Sequence, residues 1–312
     1  MIRRVPIIFG ASLLACGTVV YSAPTPINAP GTINVPGRYV LVNDIVSIPY
    51  VADALVIDTS VGPIDIDLGG FTVTGAGVGM NAVTVSGRFP LRIRNGSLFS
   101  GNAQALQCFD ATPITMERVN LFGDWGIWIQ GSASLRLRES RVDATVYGVY
   151  ADTVGDVIIE RSAFGQGYMN ARIRFAGKVR VKDSALLGGS QGPSLEVRHA
   201  SRGVSVARNT LGGAGTPGGV AIAPDGARIH GNTIHGTGYD GLVLLGSNMS
   251  VLGNTIDGSG GDGLLVAGTG NSIRGNVITN SGSCGINLTQ SGNSIQGNTF
   301  SGNAFGDICG AP

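Results

Sequence analysis

An all-β solenoid is the fold this sequence predicts: a parallel β-helix of about eleven turns with a 22-residue period. Three observations predict it. A short motif recurs at fixed spacing, in Ile229-His-Gly-Asn232-Thr-Ile234, Val251-Leu-Gly-Asn254-Thr-Ile256, Ile273-Arg-Gly-Asn276-Val-Ile278 and Ile295-Gln-Gly-Asn298-Thr-Phe300. The repeated segments are short, alternating and β-branched, with Gly, Asn and Ser between them, and 22 residues cannot hold two packed helices. The composition agrees: 51 Gly in 312 residues, with 13% charged and 6% aromatic side chains, suits turns and strands. A hydrophobic content of 43% supplies a core, and 13 Pro are too few for a collagen-like chain.

Along the chain, residues 1–23 read as an export signal, with Arg3 and Arg4 ahead of an apolar run to about Val20. That run contains Gly10, Ser12, Cys16 and Gly17 and is too short for a membrane span. Leu13-Leu14-Ala15-Cys16 is an alternative cue, for a lipid anchor at Cys16. Residues 24–60 are expected to cap the N-terminal end, and residues 61–312 to form the β-helix. There an apolar pair five residues apart marks each turn, from Ile66/Phe71 through Ile93/Leu98, Met116/Leu121, Leu137/Val142, Ile159/Phe164, Val181/Leu186 and Val206/Leu211 into the repeat above. In-register stacking at about 4.8 Å per turn makes a rod roughly 50 Å long. Like residues then form ladders: Asn209, Asn232, Asn254, Asn276 and Asn298 in one row, Thr210, Thr233, Thr255 and Thr299 in the next.

These residues resemble the right-handed parallel β-helix proteins of the pectate-lyase-like superfamily, particularly bacterial proteins with short NosD-type repeats. Gly37-Arg-Tyr39-Val-Leu41-Val-Asn-Asp44 and Asp67-Leu-Gly-Gly-Phe71-Thr-Val-Thr-Gly75 look like that family's opening segment and first coil. The resemblance implies a single-stranded right-handed parallel β-helix. It also implies an acidic polysaccharide as ligand or substrate, for which the family holds lyases, hydrolases and uronate epimerases beside proteins without catalysis. Motifs of particular activities are missing from the sequence: no Asp-Pro-His-Asp of alginate epimerases, no Gly-His-Gly with paired Asp of polygalacturonases, no zinc spacing.

A second strand keeps the register through Ile127, Val149 and Ala171, then Val220, Leu242, Leu264, Ile286 and Ile308. With these inward, the outward rows read Trp128, Tyr150, Arg172, Ser194 and Gln130, Asp152, Arg174, Glu196, with Trp125 over Tyr147 at the edge. Sugar rings stack on aromatics such as Trp125, Trp128, Tyr147 and Tyr150. Arg172 or Arg174 would pair a uronate carboxylate, and Asp152 or Glu196 would serve as base or acid. Alternating charges also build ladders without any ligand. Asp67, Arg94, Glu117, Arg138, Glu160, Lys182 and Arg118, Glu139, Arg161, Asp183, Arg208 are two such rows, expected to be structural.

A second constellation is His235-Gly-Thr-Gly-Tyr-Asp240 with Asp257-Gly-Ser-Gly-Gly-Asp262. Stacking places His235 on Asp257 and Asp240 on Asp262, so Asp240, Asp257 and Asp262 are candidate Ca²⁺ ligands, against the plainer reading of acidic residues at turns. Cys284 and Cys309 are expected about 10 Å apart, three residues out of line on adjacent turns, hence free or locally rearranged. A formal charge of +1 gives no support for nucleic-acid binding. The expected setting is periplasmic or secreted, or an outer-membrane lipoprotein if Cys16 is lipidated. The uncapped C-terminal edge suggests a homo-oligomer. A structural or adhesive envelope protein is the alternative to a polysaccharide-directed one.

Overall fold

The computed structural model describes residues 23–49, 52–131, 134–165, 167–213 and 219–310; the leader, with Arg3, Arg4 and Cys16, and Pro312 lie outside the described residues. Among the described residues every strand pairing is parallel, and the strands stack in three faces. The first runs through Val179–Lys182, Val204–Ala207, Arg228–His230, Ser250–Leu252, Ser272–Arg274 and Ser294–Gln296. The second contains Ala163–Phe164, Ala185–Leu187, Thr210–Gly212, Thr233–His235, Thr255–Asp257, Val277–Thr279 and Thr299–Ser301. The third contains Met169–Ala176, Leu195–Ala200, Val220–Ile222, Leu242–Leu244, Leu264–Val266, Cys284–Leu288 and Gly306–Cys309. In the middle of the rod the strands lengthen across the corners: Arg141–Val154 runs through the second and third faces, and Pro113–Gln130 through all three.

The 22-residue spacing is a physical stacking distance. Ile229 pairs with Val251, Val251 with Ile273, and Ile273 with Ile295. The eleven turns expected from Ile66 onward are joined by one more, Gly37–Leu41, Ile45–Val46 and Leu55–Thr59, which gives about twelve. These strands continue the solenoid, with Gly37 paired to Ile64 and Leu55 to Val83. Thr25–Ile27 and Gly31–Ile33 add a partial turn before it.

Alternation sets the core. Each C-terminal turn sends inward a set such as Ile229, Ile234, Leu242 and Leu244, all 0% exposed. Burying each aliphatic side chain is worth about 1.5–3 kcal/mol, and repeating the set turn after turn holds the rod together.

A corner must leave the extended region, and one column does so in the same way on every turn. Gly69, Asn95, Arg118, Glu139, Arg161, Asp183, Arg208, Gly231, Gly253, Gly275 and Gly297 all have φ between 49° and 63°. From Ser140 onward the next residue faces inward and is polar, because it hydrogen-bonds the neighbouring turn. Asn232 Nδ2 donates to Asn254 Oδ1 at 2.9 Å and to the Val206 carbonyl at 2.9 Å, and the Asn232 N–H donates to the same Oδ1. The expected Asn row repeats this from Asn209 to Asn298. Toward the N-terminus it continues as serines the sequence reading had not singled out: Ser184, Ser162 and Ser140 each accept the N–H of the residue one turn earlier.

Outside this corner lie the two charged rows. Arg118 contacts Glu117 at 2.7 Å, Arg161 contacts Glu139 at 2.8 Å, and Arg208 contacts Asp183 at 2.7 Å. Arg138 and Arg180 share Glu160. The Arg92 guanidinium beside Glu117, and Arg208 beside Asp183, hold those carboxyls below the usual range.

The cysteine expectation is overturned. Cys284 and Cys309 form a disulfide with their Cα atoms 6.1 Å apart. The 10 Å figure assumed an extended strand, but Cys284-Gly285-Ile286 are buried in succession, which breaks alternation and marks a bend. Gly306, opposite Cys284, has φ 127°. Cys108 is free and buried, its thiol pushed up to about 11 chiefly by that burial.

Candidate functional site

The third face carries the aromatic side chains. Trp125 and Trp128 leave the same strand at an interval of three because Gly126 and Ile127 between them are both buried, which breaks the alternation, and their rings stack at 4.8 Å and 21°. Trp125 meets Tyr147, its neighbour one turn on, at 4.7 Å, and Tyr150 lies edge-on to both Trp rings. Phe109 closes one end against Trp128 at 5.5 Å, and Tyr168 continues past Tyr147 at 6.3 Å. The four residues expected from the sequence thus form one continuous ledge, and Phe109 and Tyr168, 49% and 43% exposed, extend it.

The charged part requires a correction of register. The expected rows placed Ser194 beyond Arg172 and Glu196 beyond Arg174. The structure pairs Arg172 with Glu196 and Arg174 with Arg198, two residues later. The loop Gly188 to Pro193 is longer by that amount, so a strict 22-residue step fails there. Ser194 is buried at 0% exposure and its hydroxyl donates to the Gly219 carbonyl. The outward row is therefore Gln107, Trp128, Tyr150, Arg172, Glu196, Ala221.

Glu196 is 4% exposed and lies between two guanidinium groups, with Arg172 Nε at 2.8 Å and Arg198 Nε at 2.5 Å. Arg172 also donates to the Tyr147 hydroxyl at 3.4 Å. Burial alone would lower the Arg172 pKa, but the Tyr147 contact and the Glu196 charge outweigh it and raise the pKa. Two cations share one carboxylate, so a net positive charge remains beside the aromatic ledge. Arg174 lies 4.0 Å from Asp152, whose carboxylate also accepts from the Tyr150 hydroxyl at 3.5 Å and the Thr153 hydroxyl at 3.3 Å.

The edge of this patch is strained. Thr153, Phe175 and His199 stack on successive turns and have φ of 54°, 48° and 56°, a region that β-branched and aromatic residues rarely adopt. Phe175 and His199 stack at 4.7 Å, and Arg174 lies over the Phe175 ring at 5.6 Å. At the other end, Gln107 accepts from Asn81 Nδ2 at 2.6 Å, and Thr84 donates to Asp53.

The second constellation is dispersed. His235 does lie on Asp257, and Asp240 Oδ1 accepts the Asp262 N–H at 2.8 Å. Asp262 accepts from the Cys284 N–H and from Asn287 at 2.7 Å, while Asp257 accepts from Thr279 and Asn280. Burial, with the Asp262 charge, raises the Asp240 pKa; the Thr279 and Asn280 hydrogen bonds lower that of Asp257. Each carboxylate thus joins one turn to the next. Among the described residues no group of three or more His, Cys, Asp or Glu is placed to hold a metal ion. A groove of about 900 Å³ runs along the second face, between Arg141 and His235, with Phe164 and Leu187 in its wall.

Arg198, Phe109 and Tyr168 had no assigned role in the sequence reading. The signal for Arg198 was present: Val197 continues the inward apolar row of Ile173, which would have put its neighbours Glu196 and Arg198 outward.

Residues 218–309 match the family described as the right handed beta helix region. The stacked parallel strands extend from Thr25 to Cys309, so the chain is an all-β parallel solenoid of about twelve turns, of which the matched residues form the C-terminal part. Comparison with curated proteins and with solved structures produced no match.

Proposed function

We propose that the protein is an exported β-helix protein that binds an acidic polysaccharide along the third face, in the periplasm or outside the cell. One observation carries the reading: an aromatic ledge runs directly into the Arg172–Glu196–Arg198 cluster, which holds more positive than negative charge. Sugar rings bury their apolar faces on Trp and Tyr, and guanidinium groups take carboxylate or sulfate oxygens in pairs. Binding is favoured over catalysis because the two candidate acid–base groups are engaged. Glu196 lies buried between two arginines, and Asp152 faces Arg174 and Tyr150. Neither stands free to move a proton at a bound sugar.

The alternative, a structural or adhesive envelope protein, is favoured by the corner rows, where the same residue types form ion-pair ladders unrelated to a ligand. Retention on an immobilised uronate polymer separates the two. Trp128→Ala is expected to weaken retention by about two- to tenfold, in line with about 0.5–1.5 kcal/mol for one aromatic stack. Arg172→Ala is expected to lower the salt sensitivity of retention by the share this face supplies, about one ion. If the intrinsic tryptophan fluorescence responds to no uronate or sulfated polymer, and both variants are retained like the parent, the polysaccharide reading fails. Release of unsaturated or shortened products from such polymers would overturn the preference for binding over catalysis.

A further inference from the structure

We infer that the first face holds a second binding site, a cationic groove that takes one strand of an anionic glycan across the rod. It goes beyond the aromatic face and does not depend on it, since its residues lie on a different stack of strands.

The groove, about 530 Å³, is centred on the strand Val204–Ala207. Its lining includes Lys178, Arg180, Lys182, Arg208, Arg228 and His230, and contains no carboxylate. The chain as a whole is nearly neutral, with a formal charge of +1, so this is a local concentration of positive charge and not a bulk property.

Register explains the shape. Arg180, Ser205 and Arg228 occupy one row on three successive turns, and Lys182, Ala207 and His230 occupy the next. The middle turn therefore supplies a floor of small side chains, and the turns on either side supply long cationic walls. Two strand spacings separate the walls, about 10 Å. That is room for a single extended chain with charged substituents on both edges.

Ion pairing inside the protein does not use up these cations. Arg180 must share Glu160 with Arg138, and Lys182 shares Asp183 with Arg208. Lys178 and Arg228 have no carboxylate partner among the described residues. Arg202, at the end of the groove, reaches Asp156 at 2.9 Å but keeps 64% of its side chain exposed.

The chemistry selects the ligand. The groove has no Trp, Tyr or Phe side chain, and the single His230 imidazole is too little platform for the run of stacked bases by which single-stranded nucleic acid is held. A gap of about 10 Å is narrower than a duplex. What remains is a chain recognised by its carboxylates or sulfates alone.

The test uses the whole chain and three hexasaccharides, one carboxylated, one sulfated and one neutral, with calorimetric affinities at several salt concentrations. The parent should bind one or both anionic probes and not the neutral one. Arg180→Ser with Arg228→Ser, which extends the Ser205 floor, should weaken anionic binding by about tenfold or more and reduce the salt dependence by about two ions. Arg228→Lys should retain most of the affinity. Trp128→Ala should leave the salt-dependent part unchanged, which separates this site from the aromatic one. Because Arg228 has no ion-pair partner among the described residues, Arg228→Ser alone should melt like the parent and still lose affinity. Unchanged affinity in the double variant would overturn the proposal, as would equal binding of the neutral probe. So would a single-stranded oligonucleotide bound more tightly than either anionic glycan and lost in the same double variant.

Discussion

At the scale of single residues, the inward polar row matters more to stability than its size suggests. Asn254 is 0% exposed; it donates to Asn276 and to the Ile229 carbonyl, and its Oδ1 accepts both nitrogens of Asn232. Asn254→Ala would leave several buried donors and acceptors unpaired. A loss of about 3 kcal/mol or more is expected, since each orphaned group costs about 1–3 kcal/mol. Thr255, one position on, is exposed and stacks between Thr233 and Val277, so Thr255→Ala should cost under about 0.5 kcal/mol. Denaturant midpoints of the two variants check this; equal shifts would contradict the stacking of the Asn row.

At the scale of the element, the corner is a left-handed residue, followed from Ser140 onward by an inward polar one, and the rod uses two versions of it. From Gly231 onward the left-handed position is glycine, which adopts φ near 60° without strain. From Asn95 to Arg208 it is a larger residue, and the charged ones project into the ion-pair rows. Gly253 isolates the conformational term, because a Cβ added there would meet nothing within 4 Å. Gly253→Ala should therefore cost about 1–2 kcal/mol from backbone strain alone. Gly253→Asn should cost less, because Asn tolerates the left-handed region. Thermal unfolding of the two variants measures the difference, and equal stability of Ala and Asn would show that the corner does not demand this conformation.

At the scale of the whole molecule, each turn touches only its neighbours, so stability should be local along the rod. The Cys284–Cys309 disulfide ties the turn 294–309 to the one before it across 25 residues. That turn packs against a neighbour on one side, and Phe305 and Ile308 are 78% and 45% exposed. Cys309→Ser should speed amide exchange in residues 294–309 while protection in residues 219–266 stays as in the parent. Faster exchange along the entire rod would mean that the solenoid opens as one unit. Among the described residues no helix is long and apolar enough to cross a membrane.

The sequence by itself determined the period, the core and most of the ladders. In a solenoid the neighbours in space are the residues one period away in sequence, so Ile229, Val251 and Ile273 could be stacked by counting. The same counting found Trp125, Trp128, Tyr147 and Tyr150 as one group, because Tyr147 and Tyr150 follow the two tryptophans after one uninterrupted turn. Only the tertiary structure decided what lies beyond an irregular step. The longer loop before Ser194 moved Glu196 onto Arg172 and exchanged a serine for a buried, doubly paired carboxylate. The bend at Cys284-Gly285-Ile286 brought two cysteines together that an extended strand would hold apart. The cationic groove depends on how far long side chains reach around two small ones, in Arg180 and Arg228 about Ser205. Periodicity reports which backbones are adjacent; corners, insertions and side-chain reach depend on local dihedral angles that the repeat does not encode.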